Sequence, residues 1–271
     1  MITTTEHRPN PRISVLRALA TKKNVMKAVV LRDMRSRFFN HGLGFLLVSL
    51  WPLAHMLILL GIYTVAGRKS PYGDSLNVFF ATGLIPTLAF TYVSRFMSLS
   101  LTLNRSMLGF PVVSVLDIMM ARALLEVIAA ALTLFFMILI LLALGNNPFP
   151  ADLFEAVYAY LAVMLLAVGV GSLAGVFVML MPFFATIYAL TMIVVYISSG
   201  TLFVASALPE KVAYILSWNP VFHAVEWMRL AYFPGYSDKW LDRSYIISFG
   251  VLALFLGLLL ERTFRMRMLE G

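Results

Sequence analysis

The chain has 271 residues, of which 61% are hydrophobic and 13% charged, with no cysteine and a formal net charge of +8. Soluble domains carry about 25% charged residues, so a water-soluble fold is excluded, and the missing thiols exclude disulfides and cysteine chemistry. The positive charge does not read as a nucleic-acid site. Nine of the 21 basic residues lie in residues 1–41, against only Glu6 and Asp33, beside the first apolar run; such a flank acts as a topology signal.

In chain order, residues 1–41 are expected as a cytoplasmic basic arm. Within it, "VMKAVVLRDMRSRFFNH" (25–41) repeats Met26, Val30, Met34 and Phe38 every four residues, with Lys27, Arg32, Arg35 and Arg37 in other sectors. That pattern suits an amphipathic helix lying in the inner interface, its charges among anionic headgroups. The first long apolar run starts near Phe45, later than the core of a cleavable leader peptide.

From there the sequence predicts six spans, at about 43–65, 78–103, 118–144, 153–178, 183–205 and 244–262. Most approach the ~20 apolar residues that cross a bilayer as helix. A β-barrel would instead show short alternating segments. The fold class is therefore all-α and polytopic, with residues 42–271 as one transmembrane domain. Both termini are basic, the second through Arg262, Arg265 and Arg267, and an even number of spans places both on the cytoplasmic side. Arg68 and Lys69 in the 67–75 connection oppose that orientation mildly.

No G-x-x-x-x-G-K-[ST] loop occurs, so nucleotide phosphates have no P-loop cradle here. No His, Asp and Glu cluster has metal-site spacing, and no nucleophile–base arrangement is present; catalytic, cofactor-binding and metal residues are expected to be none. Charged groups within spans are few: Arg95, Arg122 and Glu126, with His55 near Pro52. Arg95 and Arg122 sit near inner span ends, where long side chains snorkel. Arg122 and Glu126, four apart, are spaced to pair on one helix face, and His55 reads as a packing or kink residue. Trp51, Phe79, Phe80, Tyr92, Phe96, Tyr160, Tyr188 and Tyr196 are among many aromatics in or beside spans. They suit helix packing or a sugar-stacking conduit, and the sequence does not choose between these.

The stretch "SWNPVFHAVEWMRLAYFPGYS" (217–237) precedes the last span. Asn219-Pro220 signals a helix start, and "PGY" ends it. The result is a helix of about 13 residues, too short to span. His223, Glu226 and Arg229 form a polar stripe beside Phe222, Val225 and Met228. Ser198-Ser199-Gly200 permits a break or a close helix approach upstream. Residues 200–235 are thus expected as re-entrant or interfacial helices dipping in from the outer side, inside a 206–243 periplasmic region. Irregular backbone at that depth is tolerated where protein buries it or water lines it.

Three segments together resemble the membrane subunit of ABC-2 type exporters, in the capsular-polysaccharide branch. They are "LRDMRSRFFNHGLGFLLVSLWPL" (31–53), "NRSMLGFPVVSVLDIMMAR" (104–122) and "WNPVFHAVEWMR" (218–229), the last carrying Asn219-Pro220 and Glu226/Arg229 ahead of a final span with a basic tail. The resemblance implies a homodimer of six-span subunits in a bacterial inner membrane. Two copies of a separate nucleotide-binding subunit supply ATP and Mg²⁺ chemistry, docking on the 104–117 loop (Leu108, Gly109, Phe110, Pro111, Val112 and Val113 foremost) and on the basic arm. The implied cargo is a lipid-linked, often acidic glycan, passed on to periplasmic and outer-membrane export proteins. Arg35, Arg37, Arg95, Arg122 and Glu126 are the expected conduit or cytoplasmic-mouth residues. Asn219, Pro220, His223, Glu226 and Arg229 are expected at the outer re-entrant region. O-antigen, teichoic acid or another lipid-linked cargo on the same fold is the alternative, and a non-transporting scaffold the further one.

Overall fold

The computed structural model describes the backbone of residues 11–37 and 44–270, with side chains over 19–34 and 49–269. The described residues form helices α1 (Pro11–Arg37), α2 (Gly44–Val65), α3 (Leu76–Leu103), α4 (Val115–Ala143), α5 (Leu153–Leu180), α6 (Phe184–Ile197), α7 (Glu210–Leu216), α8 (Pro220–Tyr232) and α9 (Arg243–Glu270). Short 3₁₀ turns occupy Arg105–Gly109 and Ala205–Ala207.

Among the described residues, four helices, α3, α4, α5 and α9, are long and apolar enough to cross a membrane, and shorter apolar helices cover Ser49–Val65 and Phe184–Ile197. The fifth predicted span is therefore shortened: α6 has 14 residues, about 21 Å at 1.5 Å per residue, against ~30 Å of hydrocarbon. Its end at Ile197 rather than 205 has a local cause. The Ser198 hydroxyl donates back to the Val194 carbonyl at 2.8 Å, and Gly200 turns the chain at φ +83°, a conformation glycine adopts without a Cβ clash. The last predicted span is lengthened, because α9 continues through the basic tail to Glu270.

α5 lies at the centre, against α3 on one side and α9 on the other, and small residues set both approaches. A Cβ on Gly171 would stand 2.5 Å from Met97 Cβ, and one on Gly169 would stand 2.4 Å from the Gly250 carbonyl oxygen. Membrane helices associate through such close backbone packing, since lipid supplies no hydrophobic drive between them. The core joins Phe90, Val93 and Met97 of α3 to Ala159, Val163 and Leu166 of α5. Val221, Ala224 and Trp227 of α8 close the same cluster.

The two ends of this bundle differ. At one end Leu101, Val115, Val176 and Met268 bring together the α3–α4 connection, the end of α5 and the tail of α9. α1 packs here, though one residue out of the expected register. Val25, Val29 and Asp33 are buried, while Met26, Val30 and Met34 are half-buried, and Val25 and Val29 meet Ala121 of α4. The helix lies on protein along this face, so its stripe is chosen by α4. Phe38 lies outside the described residues. At the opposite end, α8 sits beside the starts of α5 and α9. There the Asp152 N–H donates to the Ala231 carbonyl at 2.9 Å.

Candidate functional site

Among the described residues, three polar constellations stand out. The first is a groove of about 340 Å³ between α2, α3 and α6, lined by His55, Thr91, Tyr92, Arg95, Met192 and Tyr196. Arg95 is half-buried and donates from Nη1 to the Ala185 carbonyl at 2.7 Å. His55 stacks on Tyr196, ring centres 5.7 Å apart. The groove therefore offers a cation, aromatic faces and hydroxyls along one open wall.

The second is a buried cluster at the α1 end. Arg122 is 1% exposed and Glu126 3%. Arg122 reaches Asp33 Oδ2 on α1 at 3.1 Å and Glu126 Oε1 at 2.6 Å, with its guanidinium 5.2 Å from the Phe96 ring. A charge so far from water needs such partners. Around it, Arg32 donates to Asn104 Oδ1 at 3.3 Å and Ser106 Oγ at 2.9 Å, and Lys22 pairs with Asp117. Ser114 and Asp117 form a capping box at the start of α4, which satisfies that helix's free N–H groups. α1, the 104–117 loop and α4 are thus fastened at three points. The loop's tip stays outside, with Phe110 59% and Val112 58% exposed, while Leu108 and Val113 pack inward.

The third cluster holds α8 at the other end. The Asn219 side chain accepts from the Val221 N–H at 2.9 Å and donates to the Val195 carbonyl at 2.9 Å, so the cap also fixes α8 to the end of α6. Arg229 is fully buried. It donates to the carbonyls of Phe203 at 2.6 Å and Thr201 at 2.9 Å, lies 4.2 Å from the Phe79 ring centre, and stands 3.6 Å from Glu226 Oε1. Tyr236 donates to that same carboxylate oxygen at 2.9 Å. A hydroxyl knot completes the turn: Thr87 and Thr201 meet at 2.8 Å, as do Ser199 and Thr201. His223 donates from Nε2 to the Ser217 carbonyl at 2.7 Å and accepts the Asp242 N–H on Nδ1 at 3.0 Å. Burial holds its pKa below the ordinary imidazole value, so the ring is neutral in this arrangement.

The structure thus separates the residues grouped by the sequence reading. Arg95 lies in the open groove, while Arg122 and Glu126 are locked in the interior. The side chains of Arg35 and Arg37 lie outside the described residues. Pro220 starts α8, and His223, Glu226 and Arg229 all point into the protein; the polar stripe is internally paired. Sequence reasoning missed Asp33, Thr201, Tyr236 and Phe79 as partners. Asp33 was the findable one, as a lone acid amid the bases of residues 8–37.

A polytopic helical membrane protein with a lateral polar–aromatic groove is the class these features define. No family model matches the sequence, but individual relatives do along nearly its whole length. The chain is 30% identical over 242 residues to the polysialic acid transport protein KpsM of Escherichia coli, covering 89% of this chain and 94% of the relative. It is 28% identical over 255 residues to the capsule polysaccharide export inner-membrane protein CtrC of Neisseria meningitidis serogroup B, covering 91% and 93%. With BexB of Haemophilus influenzae, another capsule polysaccharide export inner-membrane protein, identity is 24% over 247 residues, covering 91% and 93%. The chain belongs to the family of capsule polysaccharide export inner-membrane proteins.

Proposed function

We propose that this chain is the permease subunit of an ATP-driven exporter that moves lipid-linked, acidic capsular polysaccharide across the inner membrane. The observation that carries the reading is the groove of Arg95, Tyr92, Thr91, His55 and Tyr196. Its cation suits the carboxylates of an acidic glycan, and its rings and hydroxyls suit sugar faces and hydroxyl groups. Two copies bring two such grooves together, with α2 and α6 completing six crossings per subunit and both termini cytoplasmic. α6 needs little length for this role, because the turn at 198–204 sinks into protein rather than lipid.

A separate ATPase subunit, with its own Mg²⁺, docks against the exposed tip Phe110–Val112 and the adjoining face of α1. The chain itself performs no hydrolysis. The fastening of α1, the loop and α4 supports this arrangement, since a push on the tip enters α4 through paired charges rather than a slack loop. Polymer leaves at the α8 end toward periplasmic and outer-membrane export proteins.

Deletion of the gene in its host, with polymer synthesis verified, is expected to trap capsular polymer in the cytoplasm, and the intact gene restores it to the surface. Arg95→Glu, inserted and assembled at normal level, is expected not to restore it. Surface polymer at the normal level in the deletion strain would overturn the reading.

A further inference from the structure

Away from the groove, at the α8 end, the chain leaves a cup of about 490 Å³ between α7, the start of α8 and the segment leading into α9. That volume falls in the ~300–1,000 Å³ range of small-ligand pockets. Its walls are aromatic: Tyr214, Trp218, Trp240 and Tyr245 all face it. Tyr214 and Trp218 are 59% and 68% exposed, and they meet edge to face with ring centres 6.4 Å apart.

The floor is polar and fixed. His223, 4% exposed, ties the Ser217 carbonyl to the Asp242 N–H through its two ring nitrogens. The Tyr245 hydroxyl donates to the Trp218 carbonyl at 2.8 Å. The two sides of the rim are therefore cinched together, which reduces the ordering cost of binding.

The charges decide the ligand class. Lys239 is the basic residue lining the cup, and its ammonium already bridges to Glu210 Oε1 at 2.8 Å. Asp242 lines the same space and opposes an anion. A phosphate or carboxylate would meet a cation whose charge Glu210 and Asp242 already balance, while the ammonium keeps N–H donors for neutral hydroxyls. A pyranose ring presents an apolar C–H face to an indole or phenol, and its hydroxyls both donate and accept. Those demands match four rings around an imidazole, a carboxylate and a lysine with no excess charge.

We propose that this cup is a glycan-binding subsite on the outer face, holding a short segment of the emerging polymer by its uncharged ring faces. The proposal rests on the export reading above and adds a station past the groove. Trp218 and Trp240 supply the stacking surfaces, Asp242 and Lys239 the hydroxyl contacts, and His223 is a positioning residue that keeps the cup in shape.

The test uses the full chain in its native membrane during export, with a benzophenone side chain at Tyr214 and, in a parallel strain, at Tyr196 of the groove. Irradiation is expected to give adducts at both positions that a glycan-degrading enzyme removes. The Tyr214 adduct should persist in about 0.5 M salt, where exposed charges are screened. Combining Trp218→Ala with Trp240→Ala should lower the Tyr214 adduct about tenfold, the loss of two aromatic contacts, and leave the Tyr196 adduct unchanged. A glycan adduct at Tyr196 with a protein adduct, a phospholipid adduct or nothing at Tyr214 would overturn the subsite while the export reading stands. No glycan adduct at either position, with polymer being made, would overturn both.

Discussion

Among the described residues two Arg–Glu pairs are buried, one at each end of the bundle, and they are built differently. Arg122 is met by carboxylates, Glu126 on its own helix and Asp33 on α1. Arg229 is met mainly by main chain, the carbonyls of Thr201 and Phe203, with Glu226 at the longer 3.6 Å. A guanidinium's several donors in a rigid fork serve either purpose. Carbonyl ligands stabilise an irregular segment that has no helix to satisfy it. Carboxylate ligands join two regular helices, α1 and α4, beside the apolar contact of Val25 and Val29 with Ala121 and the Lys22–Asp117 pair. Arg229 therefore holds a loop in place, and Arg122 holds a helix that could be released.

The comparison breaks most severely at Arg229. Arg229→Met strands two carbonyls and leaves the Glu226 charge uncompensated beside the Tyr236 hydroxyl, and removing one partner of a buried pair costs about 3–5 kcal/mol. Insertion level and thermal stability in detergent are both expected to fall sharply. Adding Glu226→Gln should recover part of the loss, because the uncompensated charge goes while the carbonyls remain unmet. A wild-type melting temperature in the single variant would remove the staple.

Asp33→Asn probes the Arg122 pair with a smaller expected effect. The amide keeps one acceptor for Arg122 but loses the charge, so about 1–3 kcal/mol is at stake, and Glu126 still holds the guanidinium. The informative readout is local. Hydrogen exchange of α1 is expected to quicken while α8 is unchanged, and equal quickening at both ends would show that α1 is not an independent unit.

His223 sharpens the contrast through pH. Burial lowers its folded pKa below the ordinary 6.5, so as pH falls through 6.5 the unfolded chain takes up the proton first and stability declines. The slope from this one group is at most about 1.4 kcal/mol per pH unit, and Asp242, which favours the charged ring, reduces it. Melting of the wild type is expected to drop below pH 6.5 more than that of His223→Gln. Parallel curves would mean that the ring is not held neutral.

Much of this architecture was open to a reading of residues alone, and the failures have physical reasons. The start of α8 was legible because Asn219-Pro220 is a local signal, and capping is decided within three residues. The i,i+4 spacing made the Arg122–Glu126 pair legible, yet the same spacing could not say that the pair turns inward. Burial belongs to the neighbours, here α1 and Phe96. Hydropathy overran the end of α6 because Phe203 and Val204 are as apolar as a span, while the break is made by Ser198 and Gly200 and held by Arg229 from 26 residues away. The α1 stripe slipped by one residue because a four-residue repeat fixes a period, and only the surface of α4 fixes its phase.

The smallest expected effect on stability is at the tip of the 104–117 loop, and it separates packing from transmission. Phe110 is 59% exposed and donates only a backbone N–H, to the Met107 carbonyl at 3.1 Å. Phe110→Ser should therefore stay within about 0.5 kcal/mol of wild type, with the capping box at Ser114 and the Lys22–Asp117 pair intact. If the tip is where the ATPase subunit pushes, the same variant hydrolyses ATP in the assembled complex but leaves polymer inside the cell. A variant that melts normally and exports normally would move the contact elsewhere on the α1 end. One that melts early would show Phe110 to be part of the fold, as Leu108 beside it already is.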